Sequence, residues 1–393
     1  MRRIFGLCLL LQMLLPGPSS EASDLIRVLI FEDAKRLELS AAHGVSLTRA
    51  DGDTPGVRSP LVLRPWAGGM LVNGKPLQTS LVTVGGRGGA LTVTAEDAPT
   101  VGWEIGPRTF VVGGTVRVFS RDGGLVVVNE VELEEYVKGV VPLEMNAGWH
   151  PEALKVQAVV ARTYALYKRM ISGDREYDVV ASIQDQAYAG RQGLDDRVER
   201  AVDSTRGVIL THRHAPILAA YSSTAAGPTE DAAHVWSKGL PYLRGVECPF
   251  DRNSPYYRWW ASFRIQDLEE NLARQDVAVG TIASVTPFAY SRAGRVTKLR
   301  ILHSQGELIL RGQDLRRIMG YGVIPSTQFQ VEAFGREVIL SGRGSGHAVG
   351  LCQWGAKELA ELGYAHTAIL AYYFPGTTLR DMRSAVLSSP PAP

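Results

Sequence analysis

The stretch from Gly139 to Tyr167, GVVPLEMNAGWHPEALKVQAVVARTYALY, constrains the fold of this chain more than any other. Pro151 suits a first helical position, where its missing N–H has no partner to lose, and Glu152 in the same turn meets the positive end of the helix dipole. No Gly or Pro then interrupts the chain to Met170, so the pattern predicts a long helix. Leu154, Ala158, Ala161 and Ala165 recur at helical spacing, and because Ala projects so little, that face can lie close against a neighbour. A buried helix is expected. Just upstream, Glu144 sits on an apolar approach among Val141, Leu143 and Met145, whose desolvation would raise the pKa of its carboxyl. Lys155 and Arg162, seven residues apart, stack on another stripe where they can meet a carboxylate or a polar ligand. If that carboxylate is Glu144, its pKa is lowered instead. Both readings stand at this point.

At the amino end Arg2 and Arg3 precede an apolar run from Ile4 to Leu15, broken by Pro16-Gly17-Pro18-Ser19-Ser20. Residues 1–22 thus read as a secretory signal peptide cut after Ala22. The run is too short to span a bilayer, and no later segment offers about 18 uninterrupted apolar residues, so no retained transmembrane anchor is expected. The expected location is outside the cytoplasm, in the periplasm or cell-wall space. With 42 basic against 40 acidic residues and no long block of either sign, no nucleic-acid partner is expected. Cys248 and Cys352 follow the leader; in an oxidising compartment they can pair, or they can be two small buried hydrophobes.

Roughly 370 residues remain after the leader, enough for two or three cores. From 23 to 120 short alternating runs (IRVLIF, VSLTRA, LVTVG, ALTVTA, TFVVGGTVRVF) between Gly- and Asp-rich turns read as a β-rich N-terminal module. RDGGLVVVNEVELEEYVKGVV supplies a hairpin and a short helix leading to Glu144. Residues 256–340 alternate strand and helix patterns as a mixed subdomain within a larger unit, 121–380, and 381–393 read as a Pro/Ser tail. The fold class is α+β: mixed and antiparallel sheets around a buried Ala-rich helix, preceded by the β-rich module.

Two further stretches carry polar groups on loops. In PILAAYSSTAAGPTEDAAHVWSKGLPYL a strand runs into small hydroxylated residues, followed by Glu230 and Trp236. Ser223 and Thr224 can offer hydroxyls to a sugar and Trp236 a stacking face, or these residues can cap turns and fill the core. In GRGSGHAVGLCQWGAKELAELG the glycines at 342, 344, 346 and 350 let backbone approach closely, with His347, Gln353 and Trp354 beside them. A dinucleotide loop is excluded, because G-x-G-x-x-G needs Gly where His347 stands. His347 can instead hold the loop through a backbone hydrogen bond, and Gln353 can cap the following helix. A seryl or cysteinyl hydrolase is a poor fit, since Ser223, Cys248 and Cys352 lack a recognisable base and elbow context. His212-Arg213-His214 reads as a turn between strands.

The stretch LEMNAGWHPEALKVQAVVARTYAL resembles the signature of the stage II sporulation protein D family, also called the amidase enhancer family, and the two later stretches are similar to that family's closing motifs in the same order. The resemblance implies an exported lytic transglycosylase that acts on peptidoglycan glycan strands stripped of stem peptides and leaves 1,6-anhydromuramoyl ends. The acid is then Glu144, with Lys155, Arg162, Ser223, Thr224, Glu230, Trp236, His347, Gln353 and Trp354 as substrate-binding candidates. It also implies a cell-wall amidase as a partner, either of the enzyme or of a noncatalytic wall-binding enhancer. Two departures stand out. Where many members carry His and two Gly, this chain has Tyr221-Ser222-Ser223-Thr224-Ala225-Ala226-Gly227. Where some carry Cys and His zinc ligands, residues 177–190 offer Ser182, Gln184, Asp185 and Gln186, so neither a structural metal nor any other cofactor is expected.

Overall fold

The computed structural model describes residues 24–385 apart from 55, 97–108, 122 and 237. The expected signal peptide lies outside the described residues, as does the tail beyond 385. The chain does continue past the expected tail boundary at 381: Thr378–Asp381 pairs with Val208–His212, and Met382 in a turn of 3-10 helix is buried.

The described helices run in order as α1 (Leu133–Glu144), α2 (Pro151–Ser172), α3 (Asp196–Ser204), α4 (Ala232–Trp236), α5 (Ile265–Ala273), α6 (Gly312–Met319), α7 (Gln353–Glu361) and α8 (His366–Tyr373). Around them lie mixed and antiparallel sheets, as the α+β reading expects. The predicted long helix is α2. His150 caps it by accepting from the Glu152 N–H through Nδ1 at 3.2 Å, Pro151 stands in its first turn, and Gly173 ends it at φ +58°. Leu154, Ala158, Ala161 and Ala165 are all fully buried. Truncating Leu154 to Ala would cost about 2–5 kcal/mol, since close-packed helices on several sides leave little room to collapse.

A six-stranded sheet carries α1. Its order is Val179–Val180, Leu25–Ala34, Gly124–Glu132, Thr115–Arg121, Leu81–Gly86, Val45–Arg49, and the first pair is parallel. The N-terminal strand Leu25–Ala34 thus lies between Gly124–Glu132, which feeds α1, and a strand beyond α2. The region expected as a β-rich module from 23 to 120 shares its core with α1 and α2: Leu37, Leu63 and Val93 belong to the same buried cluster as Val137, Leu154 and Val159. Sequence patterning shows the strands but not their partners, because pairing across 100 residues leaves no local periodicity. A second core, built from Trp259, Leu268, Leu299, Leu315 and Leu340, holds the mixed 256–340 region. The run PILAAY is strand-like only at Ala215–Pro216 and Tyr221–Ser222. Arg213 and His214 turn at φ +50° and +68° in the tight connection before it. No described helix is long and apolar enough to cross a membrane.

Candidate functional site around Glu144

Helix α1 carries Pro142 in its last turn and ends at Glu144, so the carboxyl is delivered where the helix stops. Glu144 is half-buried, between fully buried Val141 and Met145, while Leu143 turns outward at 45% exposure. Its Oε1 accepts from the backbone N–H of Ala187 at 2.8 Å. The Tyr221 hydroxyl and the Gln353 side chain also face the carboxyl. Gln353 Nε2 further donates to the Glu144 backbone carbonyl at 3.1 Å and to Gln157 Oε1 at 3.4 Å. Burial raises the carboxyl's pKa, and the hydrogen bonds from Ala187, Tyr221 and Gln353 only partly offset it. Every donor in that set is uncharged.

Behind Glu144 runs a chain of neutral hydrogen bonds. Tyr136 donates its hydroxyl to Gln186 Oε1 at 3.1 Å, and Gln186 Nε2 donates to the Tyr221 oxygen at 3.2 Å. Burial pushes both phenols well up, with the Glu144 charge adding to the shift, so both keep their protons as donors.

The loops flanking the glycines reach the same place. Tyr221–Ser222 pairs in parallel with Leu351–Cys352, which sets Tyr221 beside the start of α7 and its Gln353. Gly346 is needed there: at φ +98° a Cβ would stand 2.5 Å from the Cβ of Ser222. His347 Nδ1 accepts from the Val349 N–H at 3.0 Å, and the ring hydrogen-bonds the Tyr221 backbone carbonyl. Both nitrogens are thus spent on backbone. Burial, then the Arg316 and Arg295 charges, push the imidazole down to about 3, so it is neutral. Trp236 is 41% exposed, with its ring edge-on to His347 at 5.1 Å. Trp354 meets Trp149 edge-on at 5.1 Å, and Lys357 Nζ lies 5.5 Å and 6.0 Å from the two ring centres.

Other expected site residues belong to the scaffold. Arg162 is fully buried and forks onto Glu134, with Nε to Oε1 at 2.8 Å and Nη2 to Oε2 at 2.7 Å. A cation enclosed on all sides cannot reach a ligand, so the binding role expected of Arg162 is corrected to core pairing. Lys155 pairs with Glu152 at 2.7 Å, and Glu152 also accepts from the His366 N–H at 2.6 Å. No ion pair reaches Glu144 among the described residues, so neither cation lowers its pKa. Thr224 is fully buried, bonded to Ser254 at 2.6 Å, and bridges backbone to Ser345. Ser223 is half-buried; its carbonyl accepts from the Trp354 N–H at 3.1 Å. Glu230 is buried and accepts from the Asp231 N–H at 2.9 Å and from Ser291 Oγ, with His234 Nδ1 at 2.9 Å and Arg295 Nε at 3.9 Å. These contacts turn Thr224 and Glu230 inward, the turn-holding alternative for both. Asp185, in the stretch lacking zinc ligands, accepts from Tyr164 at 2.8 Å and pairs with Lys168 at 2.6 Å.

Tyr221, Gln186 and the Ala187 N–H are the site groups that sequence reasoning misses. The departing Tyr221–Gly227 loop draws the eye to this region, but only the pairing of Tyr221–Ser222 with Leu351–Cys352 brings the Tyr221 hydroxyl to the carboxyl. Comparison with known proteins fits this frame. Stage II sporulation protein D of Bacillus subtilis (strain 168) is 33% identical to this chain over 273 residues, 65% of the chain and 76% of that protein. The chain belongs to the stage II sporulation protein D family. The family model described as stage II sporulation protein matches residues 121–212, covering α1 and α2, and one for a domain of unknown function (DUF8618) matches 243–350. An uncharacterized protein of Brachyspira hyodysenteriae (strain ATCC 49526 / WA1) is 33% identical over 68% of this chain and 72% of its own length. The amidase enhancer of Bacillus subtilis (strain 168) is 31% identical over 62% of this chain and 40% of its own length.

Proposed function

We propose that this family member is an exported lytic transglycosylase acting on denuded peptidoglycan glycan strands, with Glu144 as its single acid and base. One observation carries the reading: a half-buried carboxyl at the end of a helix, its pKa raised by burial and its hydrogen-bond donors among the described residues all neutral. Glycosidic cleavage needs a proton for the leaving oxygen and a group that captures the oxocarbenium-like carbon. Glu144 gives its proton to the oxygen between N-acetylmuramic acid and N-acetylglucosamine as the C1–O bond breaks. The muramoyl 6-hydroxyl oxygen then bonds to C1, and its proton passes to the Glu144 carboxylate, which restores the acid. No water enters the balance, so a second carboxylate is not required. Trp236 and Trp354 offer aromatic faces for sugar rings, and Gln353 fixes the end of α1 where the acid stands.

A second reading follows from the Tyr221–Gly227 departure and from the relative named amidase enhancer: a noncatalytic wall-binding protein that stimulates a cell-wall amidase. Mass spectrometry of purified peptide-stripped strands separates the two. Wild-type protein is expected to produce anhydromuramoyl ends, and Glu144→Gln to lower their rate of formation by about 10²–10⁴-fold. Unaltered strands that co-sediment equally with both proteins favour the binder.

A further inference from the structure

Cys248, Asp251 and Cys352 meet in the core beside the Glu144 site, yet nothing in the proposed reaction uses them. All three are at most 1% exposed, and one donor atom from each lies within 4.8 Å of the others. Both cysteines are free thiols. We propose that these residues form a divalent metal site with zinc as its preferred ion, distinct from the 177–190 stretch where metal ligands are lacking.

Four features of the cluster support it. First, the spacing fits: around tetrahedral zinc, with bonds of about 2.3 Å to sulfur and 2.0–2.2 Å to oxygen, donor atoms stand about 3.5–3.8 Å apart. Cys352 Sγ and Asp251 Oδ2 are already 3.3 Å apart. Second, Asp251 has an unused oxygen. Its Oδ2 accepts from the Ala226 N–H at 2.7 Å, but its buried Oδ1 has no hydrogen-bond partner among the described residues, a costly arrangement that a bound cation would relieve. Third, each sulfur already faces a donor that suits a thiolate. The Ala225 N–H points at Cys352 Sγ at 3.3 Å, and the Tyr373 hydroxyl lies 3.2 Å from Cys248 Sγ. Gly355 makes the second contact possible, because a Cβ there would stand 2.1 Å from the Tyr373 oxygen and 2.7 Å from Cys248 Sγ. Fourth, the exchange is neutral: two thiol protons leave as one dication arrives. The charge seen by buried Arg295 is therefore unchanged.

Two thiolates with a carboxylate select zinc over magnesium or calcium, which prefer all-oxygen shells. The ion would clamp the 248–251 loop to the start of α7, and the Ala225 and Ala226 N–H groups would tie the 220–226 loop to its ligands. Cys352 directly precedes Gln353, so the clamp ends one residue from the side chain that holds Glu144.

The test uses the full chain, refolded under reducing conditions with zinc alone or cobalt(II) alone, and a Cys8→Ser background removes the third thiol. Elemental analysis and native mass spectrometry are expected to find one ion per chain, and the cobalt form to show sulfur-to-metal charge-transfer bands. Cys248→Ser and Cys352→Ser are each expected to lose about half the intensity of those bands and at least tenfold in affinity. A folded wild-type chain that takes up no ion from excess zinc overturns the proposal. So does a chain refolded with zinc but without reductant that emerges metal-free and lighter by two hydrogens, the mark of a Cys248–Cys352 disulfide.

Discussion

The two ends of α1 each carry a glutamate, and the fold treats them in opposite ways. Glu134 in the first turn is 2% exposed, gripped on both oxygens by Arg162 and bonded by the Gly207 N–H at 3.0 Å. Among the described residues, Glu144 in the last turn has no cation partner and meets an amide N–H, a phenol and a carboxamide. The dipole adds to the contrast, since a negative charge is favoured at a helix N-terminus and disfavoured at its C-terminus. One carboxylate is thus matched by a fixed charge and serves as structure. The other is left able to hold and release a proton.

The largest test breaks the matched end. Arg162→Met leaves Glu134 buried without its cation and is expected to destabilise the chain by about 3–5 kcal/mol in urea unfolding. Adding Glu134→Gln should recover a substantial part, because the stranded charge is then gone. A cost for Arg162→Met below about 1 kcal/mol would remove the contrast.

His347, bonded to the Tyr221 backbone, is the neutral group of the neighbouring glycine loop, and pH tests that neutrality. Its folded pKa, about 3, lies below the ordinary 6.5, so between those values the unfolded chain binds a proton that the folded chain refuses. Stability is therefore lost as pH falls from 6.5 toward 3, at up to about 1.36 kcal/mol per unit. In His347→Asn that component of the slope should vanish, and the two proteins should run parallel above about pH 7. Identical slopes below 6.5 would mean that the folded ring takes up its proton as readily as the unfolded one.

Glu144 itself carries the opposite sign. Its folded pKa is raised above the ordinary 4.5, so its favourable contribution is complete below 4.5 and is lost as pH rises through the folded pKa. Glu144→Gln should therefore gain on wild type as pH climbs from 4.5 to about 7 in thermal unfolding. A variant that loses ground instead would point to an undetected cation. Glu152 supplies the control. Lys155 and His366 outweigh its desolvation and hold it at about 2, so its contribution is present above 4.5 and is lost as pH falls toward 2.

What can be read in advance follows from how local each signal is. The length of α2, its cap and its buried Ala face rest on residues adjacent in sequence or one turn apart, and so does Glu144 on its apolar approach. Arg162 escapes that reading because helical spacing gives its stripe but not the neighbour: Glu134 is 28 residues upstream. Thr224 and Glu230 escape it likewise, since their partners Ser345, Ser291 and Arg295 come from distant loops. The N-terminal strands are recognisable as strands, yet their merger with the helical core depends on Leu25–Ala34 pairing with Gly124–Glu132.

Tyr221 gives the smallest and sharpest comparison, because its hydroxyl is the part of the acid's environment that this chain's unusual loop supplies. Tyr221→Phe keeps the ring and removes one donor to Glu144 and the acceptor for Gln186 Nε2. The net stability cost of such a bond is about 0.5–1.5 kcal/mol. The informative readout is the acid's titration. The Tyr221 hydrogen bond lowers the Glu144 pKa, so its loss should raise that pKa further and move the titration of the carboxyl, followed by NMR of selectively labelled glutamate, to higher pH. An unmoved titration in the Tyr221→Phe protein would show that the phenol takes no part and that burial, the Ala187 N–H and Gln353 set the acid. A downward shift would show that the phenol opposes the ionised form, and the neutral-donor account of this end of α1 would have to be rebuilt around the Ala187 N–H and Gln353.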